Sequence, residues 1–211
     1  MNRLSKIVLS TSILVFGFSL QAQMISVVEE GKSVSPYELS LSFGKKVITD
    51  KKQKTTKGSL IATPFSDDGI SGVRFKWRPR GVKNEWGGVD TNVQTITVIN
   101  RQRHENLADD YAQKAINVRT KVLRKPDDFV KLTMECNWDW QCRDSVQLKG
   151  ALSRLPKGEW SNVTIPLACF DQNKIDFSKV TTPFMLQTSG KMELEISSIS
   201  IVTLDEAVTK C

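Results

Sequence analysis

"FMLQTSGKMELEIS", residues 184–197, carries the pattern on which the fold turns. Met192, Leu194 and Ile196 recur at every second position, with Lys191, Glu193 and Glu195 between them. That period gives an extended strand one apolar face and one charged face. Ser189-Gly190 separates two such runs and has the composition of a two-residue turn, so the stretch reads as a β-hairpin. Beyond it, Ile199 and Ile201 rejoin the apolar face only if one extra residue intervenes, which predicts a β-bulge at Ser197-Ser198.

The same period runs through much of the chain. "YELSLSF" (37–43) alternates at Tyr37, Leu39, Leu41 and Phe43, and "GSLIATPFSDDG" (58–69) is a strand running into a turn. "GVRFKWRPRG" (72–81) sets Val73, Phe75 and Trp77 on one face against Arg74, Lys76, Arg78 and Arg80 on the other. "QTITVIN" (94–100) and "EWSNVTIPLACF" (159–170) are further strands, and Val130, Leu132, Met134 and Cys136 form another alternating face. Two stretches lean helical: a turn opened by Asn106 before the β-branched Ile116–Val122 run, and Val146 to Leu155 with Leu148, Leu152 and Leu155. Roughly eight to ten short one-sided strands predict an all-β fold: two antiparallel sheets packed as a β-sandwich or jelly roll.

The start of the chain follows a different rule. Arg3 and Lys6 precede the mostly apolar stretch Ile7 to Leu20, and "SLQAQ" places Ala22 before a cleavage point. That is the order of a secretory signal peptide, and the run is too short and too broken by serines for a membrane span. The expected organisation is a signal peptide over 1–22, an N-terminal strand and lysine-rich loop over 23–58, and a sandwich over 59–211. The destination is periplasmic or secreted. The net charge of +7 falls to +5 without Arg3 and Lys6, and much of it sits in "KKVITDKKQKTTKG" (45–58). A surplus in one stretch reads as a solvated loop with weak attraction to acidic polysaccharide or a membrane surface, not as a nucleic-acid site.

Export makes disulfides the default for Cys136, Cys142, Cys169 and Cys211. Four cysteines allow three pairings, and the sequence does not choose among them. Cys136 and Cys142 are close enough to close a small loop, which would contribute roughly 2 kcal/mol. Cys169 would then pair with Cys211. Zinc would want more Cys or His at ligand spacing, and a thioredoxin-like pair wants a two-residue gap where "ECNWDWQC" has five.

Catalytic signals are weak. His104 is the only histidine and lies in a polar stretch, where a surface position is expected. No nucleophile elbow or phosphate-binding loop is present. Acids such as Glu85, Asp90, Asp109 and Asp110 could be paired on paper, but 23 acids offer many such pairs. Tryptophans are the better candidates, since a sugar ring stacks its C–H face on an exposed indole. Trp77 shares a face with core residues, and Trp160 has outward parity at a strand start. Trp86, Trp138 and Trp140 lie in loops, where ligand contact and plain packing are equally expected. Asp90 and Arg78 are candidate polar partners of a bound sugar. A structural calcium ion near Asp67 and Asp68 is the one cofactor considered; otherwise none is expected.

Taken together, "KLTMECNWDWQC", "LSRLPKGEWSNVTIPLACF" and "IDFSKVTTPFMLQTSGKMELEISSISI" resemble the galactose-binding-like C-terminal domain of ExoP-type family 3 glycoside hydrolases. The match is good from about Phe129 to Ile201 and weaker from about Ser59, including "AINVRTKVLRKPDDF"; "SPYELSLSFG" corresponds to the domain entry. The resemblance implies a sandwich of the carbohydrate-binding-module type, accessory to catalytic domains in the family. It makes Cys136, Cys142, Trp160 and Cys169 fold markers. Catalytic domains are not recognised in this sequence, so hydrolase activity is not carried over. The resulting expectation is an exported, non-catalytic carbohydrate-binding module. Its partner would be a polysaccharide or oligosaccharide, and it would work beside a glycoside hydrolase. The alternatives are a structural or protein-interaction sandwich and, less favoured, a small glycosidase.

Overall fold

The computed structural model describes residues 24–42, 44–55, 57–78, 93–206 and 211. Fourteen strands are described, in two sheets. They are β1 (Ile25–Glu29), β2 (Lys32–Ser33), β3 (Tyr37–Leu41), β4 (Lys46–Val47), β5 (Gln53–Lys54), β6 (Leu60–Asp67), β7 (Ile70–Trp77), β8 (Gln94–Asn100), β9 (Lys114–Arg124), β10 (Lys131–Cys136), β11 (Arg143–Gln147), β12 (Trp160–Pro166), β13 (Val180–Thr188) and β14 (Met192–Thr203). The first sheet runs β12-β9-β14-β7-β6-β5, with β1 also paired to β14 and β2 to β1. The second runs β11-β10-β13-β8-β3-β4. The pairings are antiparallel and the two inner faces form one apolar core, so the expected all-β sandwich is the fold. Residues 23–58 supply β1 to β5 and reach both sheets.

The stretch that predicts the fold class does not form the predicted hairpin. β13 pairs with β10 and β8, whereas β14 pairs with β7, β9 and β1, so 184–197 is an arch from one sheet to the other. Phe184, Leu186, Leu194 and Ile196 therefore face one another across the core instead of lying side by side. The cause lies outside the segment. Nearly every residue of β13 is buried, so it needs neighbours on both edges and both faces. The turn is tied elsewhere: Lys191 N donates to Asp127 Oδ1, and Ser189 Oγ donates to Asp128 Oδ2. The expected bulge does occur, as a register shift in β14 between Ile196 and Ser198.

Two other local expectations are met in part. Asn106 accepts from Ala108 N in a turn and caps no helix, but the short helical turn is present as a 3-10 turn at Tyr111–Gln113, and the expected strand follows as β9. The predicted helical stretch from Val146 begins instead as β11, which pairs with β10, and only Lys149–Arg154 (α1) is helical. Leu152 is buried on α1, so the helical spacing of Leu148, Leu152 and Leu155 is met by one short turn of helix against the core.

The outer face of the first sheet is concave. Across its strands runs the row Trp160, Lys121, Glu195, Arg74, Thr63. Phe65 shares that face, yet its ring lies 6.2 Å from the Trp160 ring. Their strands, β6 and β12, are four spacings apart, about 19 Å in a flat sheet. Only a sheet curved toward its outer face brings the rings together. A Cβ on Gly72 would meet Phe65 Cζ at 2.8 Å and Ile196 O at 2.5 Å, so glycine is what lets the ring lie down on β7.

Candidate functional site

The basic stripe on β7 is largely neutralised by its own sheet. Arg74 Nη2 lies 2.6 Å from Glu195 Oε1 and Lys121 Nζ 2.8 Å from Glu195 Oε2, while Lys76 Nζ lies 2.8 Å from Glu193 Oε2. The Glu195 side chain is 2% exposed although it points outward, because β14 lies between β7 and β9 beneath the Phe65 and Trp160 rings. Lys121 and Arg119 in turn sit over Trp160, 5.0 and 5.7 Å from its ring centre. This aromatic and ionic cluster closes the trough on itself.

The second sheet ends differently. After β10 the chain makes a tight loop closed by the Cys136–Cys142 disulfide, with Cα atoms 5.3 Å apart. Cys136 is fully buried, as its place at the inward end of an alternating strand requires. Asn137 and Trp138 follow with φ of 55° and 50°, both in the left-handed region. Such angles are uncommon outside glycine and costly for a bulky side chain. They persist because the loop is held at many points. Asn137 N donates to Lys179 O at 2.9 Å, Trp138 N to Thr181 Oγ1 at 3.1 Å, and Asp139 N to Cys136 O at 3.0 Å.

Both loop tryptophans point outward. Trp138 is 44% and Trp140 54% exposed, and they are the only exposed Trp, Tyr or Phe side chains among the described residues. Trp138 Nε1 donates to Asn100 O at 2.9 Å, and the His104 ring packs on the indole at 4.5 Å. His104 is thus the surface histidine expected, with a packing role. Arg143 stacks on Trp140 with its guanidinium carbon 3.1 Å from the ring centre. The groups that anchor the two indoles, Asn100 on β8 and Arg143 on β11, lie three strands apart, about 14 Å.

Polar groups line the outer face beside them. Glu135 is paired across the ladder with Arg143 on one side and Thr182 on the other. Burial pushes the Glu135 carboxyl above the usual carboxylate range, although Arg143 pulls it the other way. The Arg143 guanidinium is lowered by the same burial. Thr133 Oγ1 and Ser145 Oγ lie 2.7 Å apart, and Gln187 Nε2 donates to Thr133 Oγ1. Asn100 is wholly buried; its Oδ1 accepts from Gln102 N and Arg103 N, while its Nδ2 has no partner among the described residues. Sequence reading missed Glu135, Arg143 and Asn100, because nothing local marks which strand neighbours a loop will meet.

The other candidates are dispersed. Arg78 is exposed just beyond β7, next to a recess of about 430 Å³ that Arg124 and Glu193 also line. It lies near the β10 start, at the opposite end of the sandwich from Trp138, since Trp77 Nε1 bonds Gln94 O at the start of β8 and Trp138 bonds Asn100 at its end. Trp86 and Asp90, like Arg80 and Glu85, fall outside the described residues. Asp109 and Asp110 sit on an exposed turn. Asp67 and Asp68 are exposed at the β6–β7 turn, and no group of three or more His, Cys, Asp or Glu able to hold a metal occurs among the described residues. The second disulfide joins Cys169 to Cys211.

The family model of the ExoP-type C-terminal domain, Exop_C, described as galactose-binding domain-like, matches residues 80–201. The chain belongs to this family. Solved relatives agree on the fold. The extra C-terminal domain of the exo-1,3/1,4-β-glucanase ExoP from a Pseudoalteromonas species superposes with a TM-score of 0.59 at 12% identity, covering 87% of this chain and 96% of that one. The whole ExoP enzyme gives 0.63 at 11% identity, with 94% of this chain covered but 22% of the enzyme. A family 30 carbohydrate-binding module of a cellulosomal cellulase from Clostridium thermocellum gives 0.55 at 15% identity, covering 87% and 99%. A comparison with curated proteins returns no match. Among the described residues no helix is long and apolar enough to cross a membrane, and two disulfides fit an oxidising compartment.

Proposed function

We propose that this Exop_C-family domain is an exported, non-catalytic carbohydrate-binding module that grips a glycan chain through Trp138 and Trp140. One observation carries the reading: Trp138 is a large side chain held in a left-handed backbone and left 44% exposed. Both the strain and the exposed apolar surface cost free energy, and such costs concentrate at binding sites. The indole is oriented by the Asn100 bond and the disulfide, so little ordering remains for a ligand to impose. Trp140, Arg143 and Glu135 supply a second ring and hydrogen-bonding partners for hydroxyls. Two exposed indoles on one loop offer more than one stacking surface, which suits an oligosaccharide better than a single sugar.

The relatives suggest a first probe. ExoP is an exo-1,3/1,4-β-glucanase, so mixed-linkage β-glucan is the glycan to test first, and a glycoside hydrolase acting on it is the proposed companion. A signal peptide over residues 1–22 and a periplasmic or secreted site complete the proposal. Trp86, Asp90 and Arg78 are retained as proposed sugar contacts, with Arg78 at the other end of the sandwich from Trp138. The experiment is a polysaccharide pull-down with the wild type and with Trp138→Ala, Trp140→Ala and Trp86→Ala. Retention that falls at least tenfold for Trp138→Ala supports the reading. Retention by none of a broad glycan panel would leave a protein-interaction sandwich.

A further inference from the structure

The net charge of the molecule is concentrated in one place. The chain has 30 lysines and arginines and 23 acids, and Arg3 and Lys6 account for two of the cations. Residues 45–58 hold six lysines and one acid, so they carry the whole +5 that remains; the rest of the chain is balanced. Sequence alone makes this a solvated loop. In the structure it is a strap. β4 forms the edge of the second sheet and β5 the edge of the first, so 45–58 crosses the side of the sandwich from one sheet to the other.

The strap is ordered by its own contacts. Thr49 Oγ1 accepts from Lys51 N and Gln53 Nε2, and Lys46 Nζ donates to Lys54 O. Ile48 N donates to Leu39 O, and Thr55 N to Leu60 O, which pins both ends. Lys45, Lys46, Lys51, Lys52, Lys54 and Lys57 are all exposed, and none forms an ion pair among the described residues. On the outer face of the first sheet, by contrast, Arg74, Lys76 and Lys121 are each matched to a carboxylate. Beyond the strap and the first 22 residues, cations and acids balance in number, whereas the strap sets six lysines against Asp50.

We propose that the 45–58 strap is a docking track for a linear anionic polysaccharide, one bearing carboxylate or sulfate groups along its length. Several cations on one fixed segment produce a local positive field that a polymer with regularly spaced charges can follow. A membrane surface fits less well. Interfacial binding needs a buried apolar face, and Val47 is the strap's one exposed large hydrophobic side chain. The track does not rest on the tryptophan site and is separate from it.

The test uses the full chain after export, with polygalacturonate as probe and neutral mixed-linkage β-glucan as control, in affinity electrophoresis at 50 and 200 mM NaCl. Binding to polygalacturonate should weaken about tenfold or more over that range, as release of counterions requires. Lys45, Lys51, Lys52 and Lys54 changed together to Gln should lower it about tenfold at 50 mM NaCl, while Lys125→Gln with Lys157→Gln, two exposed cations off the strap, leaves it unchanged. The four side chains are exposed, so the variant should keep the wild-type urea midpoint. Absence of polygalacturonate binding, binding insensitive to salt, or binding unaffected by the four substitutions would overturn the proposal. Capture by vesicles of phosphatidylcholine with phosphatidylglycerol, without capture by polygalacturonate, would overturn it too.

Discussion

Removing the Cys136–Cys142 bridge should cost little stability and much binding. The bridge closes a loop with a sequence separation of 6, against 42 for Cys169–Cys211. In the chain-entropy account these loops restrain the unfolded chain by about 2 and about 4 kcal/mol. Cys136→Ala with Cys142→Ala should therefore lose about 2 kcal/mol, and Cys169→Ala with Cys211→Ala about twice that. Function should run the other way. The short bridge is one of the ties that hold Asn137 and Trp138 in left-handed backbone, beside their N–H bonds to Lys179 and Thr181, and its loss loosens the strained loop and lets the indole move. The β10–β11 pairing should survive, since five register pairs from Lys131–Gln147 to Glu135–Arg143 hold it. Urea unfolding of the two double variants, beside glycan pull-down of the same samples, measures both quantities. Full glycan retention by the short-bridge variant, or a greater stability loss for it than for the long-bridge variant, would refute the reasoning.

Three further outcomes follow from the packing. Glu195→Gln should destabilise by about 2–3 kcal/mol in thermal or urea unfolding, since it leaves Arg74 and Lys121 facing a neutral amide; their own partial exposure keeps the loss below that of a fully buried pair. Gly72→Ala should cost about 1–3 kcal/mol, because the added methyl must displace the Phe65 ring and Ile196 O; near-UV circular dichroism of Trp160 should change with it. Glu135 is held above its ordinary range by burial, so the folded state binds its proton more tightly than the unfolded state does. Its contribution is present below the unfolded value and is lost as pH rises through the raised one. Wild type should therefore lose stability across that window while Glu135→Gln does not, as urea midpoints measured from pH 4 to pH 8 would reveal.

Alternation made the sheet faces legible, because a period of two needs no knowledge of which strand is the neighbour. Tyr37, Leu39, Val73, Phe75, Trp77, Leu132 and Met134 are all in the core. Pairing was not legible. Residues 184–197 look like a hairpin at short range, but β13 and β14 find their partners in separate sheets, and the turn between them is tied to Asp127 and Asp128 some sixty residues earlier. The same limit applies to β11, which "RDSVQ" does not announce but β10 recruits. Of the candidate site, the two exposed indoles could be named from composition and loop context. Their anchors could not: Asn100 comes from β8 and Thr181 from β13, and both meet Trp138 only through sheet order.

The central claim is that Trp138 and Trp140 contact the glycan, and their indole N–H resonances report on it directly. The chain has five tryptophans, and so five such signals, in a proton–nitrogen correlation spectrum. On titration with mixed-linkage β-glucan oligosaccharides, the Trp138 and Trp140 signals should shift saturably, while that of the buried Trp77 stays in place. Saturable shifts confined to Trp86 or Trp160, with Trp138 and Trp140 unmoved, would contradict the account.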